Sequence, residues 1–324
     1  MFLFYFQFLP FLIGIIILLL FLILILPFTS KGRAKKKSSD FFNLFKGFTD
    51  GEGYFTIKID KRGNIGFRFS INLHIDDIDV LYYIKSQLGV GHVYKGLKSP
   101  TAMYRITSLN DILIVLVPIF TNFPLLSTKL LDFNDFLKAI NIKSKYVVKN
   151  LPISKLNKIT KLKINMNRGR KKISVKEINQ LSNQVNITSF WLLWFIEAEG
   201  TFGIKNLTPY FQIAQLKKSY YLINSISTFL NNLPLLNKET LKAKKPLSSI
   251  VINNKTDVLS LTINDIDSLY GYIMPFLQSL TFYTRKSIDF KFWCVALKIH
   301  KFGYIYLPSP FGRYKCDKSH VSFF

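Results

Sequence analysis

The 324-residue sequence predicts an α+β protein in which one unit is built twice, and three observations lead there. A helix-like apolar stretch closes on acid and glycine, Phe45-Lys46-Gly47-Phe48-Thr49-Asp50-Gly51-Glu52-Gly53, and returns 147 residues later as Leu192-Leu193-Trp194-Phe195-Ile196-Glu197-Ala198-Glu199-Gly200. Lys129-x-x-Asp132-Phe133 recurs as Lys286-x-x-Asp289-Phe290, 157 residues on, each lysine standing 11 residues after a proline, Pro118 or Pro275. Period-two alternation follows both acidic stretches, which is the mark of a half-buried strand. Two copies at so long a period mean two similar domains, not a solenoid.

The elements of the first copy read in order. After the acidic helix, Tyr54 to Ile59 and Ile65 to Leu73 alternate around Lys61-Arg62-Gly63-Asn64, a hairpin. Asp76-Asp77 opens a helix to Leu88, with acids in the first turn where the helix dipole prefers them. Gly89 and Gly91 break it; strands near His92 to Leu97 and Ala102 to Thr107 follow, then helices near Asp111 to Ile119 and Thr128 to Ile140. The second copy repeats helix, hairpin (Gly203 to Gln215), helix (Lys218 to Leu230), two strands (Ser248 to Asn253, Asp257 to Ile263) and two helices. Each half is thus αββαββα, with helices on one face of a four-stranded antiparallel sheet.

Composition bounds what such a protein can do. Forty-four Lys and Arg against 19 Asp and Glu give a net charge of +25, which suits a polyanion such as nucleic acid ahead of a small acidic protein partner. Two cysteines, Cys294 and Cys316, without a Cys/His cluster exclude a zinc finger and a disulfide scaffold. Between Phe136 and Lys176 there is no acid but 13 Lys or Arg, ending in Arg168-Gly169-Arg170-Lys171-Lys172, and phosphate contact is the favoured use of that run. Residues 2–29 are uncharged and almost wholly apolar, long enough to cross a bilayer. The basic residues Lys31 to Lys37 after them would hold the rest of the chain on the cytoplasmic or matrix side. The domain reading is therefore 1–38, an apolar leader or transmembrane segment with its basic stretch; 39–140, the first α+β domain; 141–186, a basic linker; and 187–324, the second domain.

The paired motifs GFTDGEG (47–53) and FIEAEG (195–200), each closing a helix and opening a strand, resemble those of the LAGLIDADG homing endonucleases in their single-chain form with two motifs. The resemblance extends from residue 40 to about 306, with the Lys-x-x-Asp-Phe segments and Gly303-Tyr304-Ile305-Tyr306 in their expected places. It implies a metal-dependent nuclease that hydrolyses double-stranded DNA at a long asymmetric site, acts as a monomer and promotes intron mobility. The host compartment it implies is an organelle, the mitochondrion ahead of the chloroplast.

A helix end leaves free carbonyls and a partial negative charge, so a carboxylate there asks for a cation beside it. Glu52 and Glu199 occupy such ends, and side by side they form an oxygen-rich pocket for a hard divalent ion, Mg2+. By resemblance these two match the metal-binding acids of the family, Gly51 and Ala198 add carbonyls, and Lys129 and Lys286 match its basic residues near the reacting phosphate. For the lysines, phosphate positioning without catalysis is an equal alternative. Asp50 and Glu197 are read as helix-end or interface residues ahead of ligands. Gly47 and Gly51 allow the motif helices to approach; Trp194 stands where the family has glycine and Lys46 where it has a small residue, and Trp194 is expected to sit over Gly47.

Readout of the DNA falls to the open sheet faces. With Phe55, Ile57, Phe67, Phe69 and Ile71 inward, Thr56, Lys58, Arg68, Ser70, Asn72 and Arg105 point outward, as do Lys205, Tyr210 and Gln212 in the second half. Arg168, Arg170, Lys171 and Lys172 complete the expected DNA contacts. An alternative function is an intron RNA maturase, which binds its own intron RNA to assist splicing; a nuclease-dead binder is disfavoured by the retained glutamate pair. Because intron reading frames can continue an upstream exon, residues 1–38 are favoured as an exon-derived leader, with membrane contact only if residues 2–29 are retained.

Overall fold

A computed structural model describes residues 39–146, 151–235, 245–253 and 255–303. The apolar segment at 2–29, the basic residues after it and Tyr304 to Tyr306 lie outside the described residues. Among the described residues no helix is long and apolar enough to cross a membrane.

The first half runs α1 (Ser39–Glu52), β1 (Gly53–Ile59), β2 (Ile65–His74), a 3-10 turn (Ile75–Asp77) and α2 (Ile78–Leu88). Then come β3 (His92–Lys95), β4 (Thr101–Ile106), α3 (Leu109–Asp111), a π-helical turn (Ile112–Leu116), α4 (Val117–Asn122) and α5 (Lys129–Ser144). The connecting segment carries α6 (Ile153–Asn165) and α7 (Val175–Gln184). The second half repeats the order: α8 (Ser189–Glu199), β5 (Gly200–Lys205), β6 (Thr208–Leu216), α9 (Tyr220–Asn231), β7 (Ser249–Asn253), β8 (Val258–Ile263), α10 (Ile266–Ser268), a π-helical turn (Leu269–Ile273), α11 (Met274–Gln278) and α12 (Lys286–Lys301).

Both sheets have the same antiparallel topology, β1-β2-β4-β3 and β5-β6-β8-β7. The inward row predicted for the first sheet, Phe55, Ile57, Phe67, Phe69 and Ile71, is buried against helices as expected. Phe55 alone meets Phe69, Phe120, Phe133 and Phe136 at ring-centroid separations of 5.3–5.8 Å, so sheet and helices share one aromatic core.

The basic segment between the halves is docked on both, α6 on the first and α7 on α9 of the second. Helix α6 packs on α5, with its Ile159 and the following Met166 buried. Asn167, held at φ 56°, donates its side-chain amide to the Phe55 carbonyl at 2.9 Å. Helix α7 begins with a reciprocal cap between Ser174 and Glu177.

Candidate active site

The two motif helices pack directly against each other, and glycine is what lets them. A Cβ on Gly47 would lie 2.3 Å from the Trp191 carbonyl oxygen, so the backbones touch there. The residue over Gly47 is therefore Trp191, and the expectation for Trp194 is corrected. Trp194 is fully buried but turns its ring against Phe48 and Tyr283, at centroid distances of 5.0 and 5.3 Å. The wide indole finds room beside α2 and the turn before α12 because the helix crossing point is already filled by Trp191. Lys46 is also buried, its ammonium pushed below the usual lysine range by burial and drawn partly back by Asp50.

Helices packed in this way bring their C-terminal ends together, and with them Glu52 and Glu199. Burial raises the Glu52 carboxyl, the charge of Glu199 raises it further, and Lys129 and Lys286 oppose both. Burial likewise raises Glu199, against Lys129, a hydrogen bond from the Gln215 side chain, and Lys286. Both lysine ammoniums are lowered, again by burial first. Lys129 donates to the carbonyls of Thr49, at 3.2 Å, and Gly51. Lys286 donates to the Gly200 carbonyl at 2.5 Å. Two carboxylates and two ammoniums thus share one partly desolvated neighbourhood at the paired helix ends. A cavity of about 450 Å³ opens there, lined by Glu52, Glu197, Asn72, Asp77, Lys286 and Asp289 among others.

The other acid of each motif has a different task. Asp50 is buried and accepts from the backbone N–H groups of Leu126 and Ser127 at 2.9 and 2.8 Å. Glu197 accepts from those of Tyr283 and Thr284 at 2.8 and 2.7 Å. Each carboxylate fastens the turn that leads into a lysine helix, so both are helix-end residues, as the sequence suggested. The Ser127 and Thr284 hydroxyls then accept from the backbone N–H of Lys129 and Lys286 at 3.3 and 3.2 Å.

The donors at this site are oxygens, which fits a hard divalent cation. Among the described residues no group of three or more His, Cys, Asp or Glu forms a metal cluster. Glu52, Glu199 and neighbouring carbonyls would therefore hold such an ion only together with water or a phosphate. The Gly51 carbonyl already accepts from Lys129 and would have to share its second lone pair.

The sheet faces hold most of the other predicted residues. Thr56, Lys58, Arg68, Asn72 and Arg105 lie on the outer face of the first sheet, at least partly accessible. Arg105 lies over the Tyr94 ring at 5.2 Å. Ser70 corrects the expectation: it keeps its outward register but is wholly buried between its ladder partners Tyr54 and Arg105, its hydroxyl unpartnered. On the second sheet Lys205, Tyr210 and Gln212 line an open hollow of about 680 Å³. Its other walls include Asn253, Ser260, Thr262 and Asn264, which the sequence reading passed over. Gln212 donates to the Thr262 hydroxyl at 3.3 Å. The alternation of β8, with Leu259, Leu261 and Ile263 buried, was the signal that would have found two of them. Gln215 was also missed; it interrupts the inward row Phe211, Ile213, where a polar residue marks a site.

In the basic run, Arg168, Lys171 and Lys172 are exposed, but Arg170 is not available to phosphate. Its side chain is 9% exposed, and the guanidinium pairs with Asp132 at 3.2 Å, Asp135 at 2.6 Å and Glu177 at 3.6 Å. The acid-free stretch lacks carboxylates in sequence, but folding supplies three from elsewhere.

The family model described as LAGLIDADG endonuclease matches residues 45–140 and 192–297, which takes in both motif helices, both sheets and both lysine helices. The chain belongs to the LAGLIDADG endonuclease family. Among proteins of similar sequence, a "Probable intron-encoded endonuclease Cox1-I1b" of Schizosaccharomyces pombe is 30% identical over 84% of this chain and 69% of its own length. An "Uncharacterized mitochondrial protein RF1" of Saccharomyces cerevisiae is 29% identical over 82% of this chain. This chain spans 56% of the length of that yeast relative. Among solved LAGLIDADG structures, I-SmaMI bound to uncleaved DNA target in the presence of calcium ions superposes with TM-score 0.67 at 22% identity, covering 82% of this chain and 94% of that one. I-GzeII in complex with a DNA target gives 0.66 at 21% identity, over 83% and 93%. At such identity these two establish the fold.

Proposed function

We propose that this chain is a site-specific homing endonuclease that hydrolyses one phosphodiester bond in each strand of double-stranded DNA at a long asymmetric site, with Mg2+ as cofactor. The observation that carries the reading is the pairing of Glu52 and Glu199 at two packed helix ends with Lys129 and Lys286 beside them. A relative named as a probable intron-encoded endonuclease and fold neighbours solved on DNA support it.

In this reading the two outer sheet faces lie along the duplex and set its register. Non-identical faces, one with Arg68, Asn72 and Arg105 and one with Lys205, Tyr210 and Gln212, suit an asymmetric site. Arg168, Lys171 and Lys172 contact phosphate. Glu52 and Glu199, with carbonyls of Gly51 and Ala198, hold the divalent ions; when bound, such ions supply an activated water and charge stabilisation at the leaving oxygen. Lys129 and Lys286 place an ammonium where negative charge gathers on the phosphate. Asp50 and Glu197 keep those lysines in place. Both motifs come from one chain, so a monomer suffices.

The domain limits of 39–140 and 187–324 carry this reading, with 141–186 as the docked connection. The protein works in the mitochondrion, on the matrix side, and residues 1–38 are an exon-derived leader whose removal leaves cleavage intact. The test is cleavage of the intronless DNA site with and without Mg2+. Glu52→Gln and Glu199→Gln should abolish cutting while retaining binding, and Lys129→Met or Lys286→Met should slow it by about 10²–10³-fold. Cutting that survives both glutamate changes would refute the assignment. The exposed lysines of the acid-free α6, Lys158, Lys161 and Lys163, favour a second reading, an RNA maturase. Protein that cuts nothing but accelerates splicing of its own intron would establish that one instead.

A further inference from the structure

The two lysine helices are not fastened alike. Asp50 holds the turn before α5 by two backbone N–H groups, and its Oδ2 also accepts from the indole N–H of Trp191 at 2.9 Å. Trp191 belongs to α8, the motif helix of the other half, so the clamp on Lys129 is completed across the helix interface. Glu197 accepts from the backbone N–H groups of Tyr283 and Thr284 and from the Thr284 side chain, so among the described residues its donors all come from its own half. The residue of α1 that matches Trp191 at the motif offset of 147 is Leu44, which has no donor to give.

We propose that Trp191 is a positioning residue for one of the two active centres only, holding Lys129 in place through Asp50 and so making strand cleavage unequal in its demands. The inference rests on the endonuclease reading. Asp50 is buried, so a lost donor is not replaced by bulk water, and a carboxylate short of one partner holds its remaining ones in a less defined geometry. The turn it fastens, Leu126 and Ser127, begins the helix that delivers Lys129 to the Thr49 and Gly51 carbonyls. Lys286 has its own clamp and is untouched. Trp191→Phe removes the N–H and keeps an aromatic ring to stack on Phe195, which lies 4.8 Å away.

The experiment uses the full chain, Mg2+ and a duplex recovered from a randomised plasmid library by cleavage with the unaltered protein, each strand carrying a different end label. Lys129→Met and Lys286→Met first show which strand each lysine serves. Trp191→Phe is expected to slow the Lys129 strand by about tenfold and the other by less than about twofold, so that a nicked duplex of one polarity accumulates. Asp50→Asn should slow the same strand, which keeps the test decisive if the tryptophan variant folds poorly by thermal melting. Equal slowing of both strands, no slowing, or slowing of the Lys286 strand overturns the proposal, as does a Lys129→Met variant without strand preference. If the unaltered protein selects no cleaved duplex, the endonuclease reading fails and this inference with it.

Discussion

Gly51 and Ala198 meet across the motif helices so closely that a Cβ on Gly51 would fall 2.2 Å from the Ala198 Cβ, well inside contact distance. Gly51→Ala should therefore push the helices apart at the point where they present Glu52 and Glu199. Overpacking of this kind costs about 1–3 kcal/mol, and here the upper end is expected because the clash is between two rigid Cβ atoms. The reciprocal double variant, Gly51→Ala with Ala198→Gly, moves the methyl from one side to the other and should recover most of the loss. Denaturant midpoints of the four proteins in the cycle give the coupling directly; additive losses would show that the two residues do not touch.

Arg170 and its neighbours Lys171 and Lys172 should separate stability from DNA binding. Arg170→Ala leaves the nearly buried Asp132 without its cation and Asp135 with Lys138 alone, a change that costs about 3–5 kcal/mol, while the salt dependence of DNA affinity stays as it was. Lys171→Ala or Lys172→Ala should leave stability within about 0.5 kcal/mol. Each lysine that contacts phosphate should lower the slope of log affinity against log salt by about 0.9. Urea unfolding and fluorescence anisotropy at several salt concentrations distinguish the two behaviours.

Glu197 should titrate far above an ordinary glutamate. Burial pushes its carboxyl from the usual 4.5 up to about 7, against the pull of the Tyr283 and Thr284 N–H donors. A raised folded pKa means the native state holds more protons than the unfolded chain between these two values. This group's contribution is present in full below about 4.5 and is lost as pH rises through about 7. In metal-free protein a ¹³C-carboxyl titration should place the Glu197 midpoint near 7, and a midpoint below 5 would contradict the structure.

Gln212 and Ser70, both outward by register, should behave oppositely. Gln212→Ala removes an amide from the polar hollow on the second sheet and should relax preference at one base position by about 1–3 kcal/mol. Ser70→Ala removes a buried hydroxyl without a partner and should leave both stability and base preference unchanged or slightly raise stability. Binding to a panel of single-base variants of the selected duplex reads both.

The duplicated architecture was legible in the sequence because its signals are local. Alternation around Lys61–Asn64, the acids at the start of α2 and the glycines after it depend on neighbours a few residues away, and the order of elements along the chain and the helix limits followed within a few residues. Recurrence of the acidic and lysine landmarks at matched spacing likewise paired Glu52 with Glu199 and Lys129 with Lys286 before any contact was known. What only the tertiary structure decided is which polar groups stay open to a ligand. Arg170 has the composition of a phosphate contact, and its fate turned on carboxylates 35 and 38 residues away. Trp191 is one apolar residue among many until its indole N–H reaches Asp50, 141 residues distant. Ser70 alternates outward but disappears between Tyr54 and Arg105. Periodicity reports which face a side chain takes, whereas burial and pairing depend on which distant elements meet there, and that is set by packing alone.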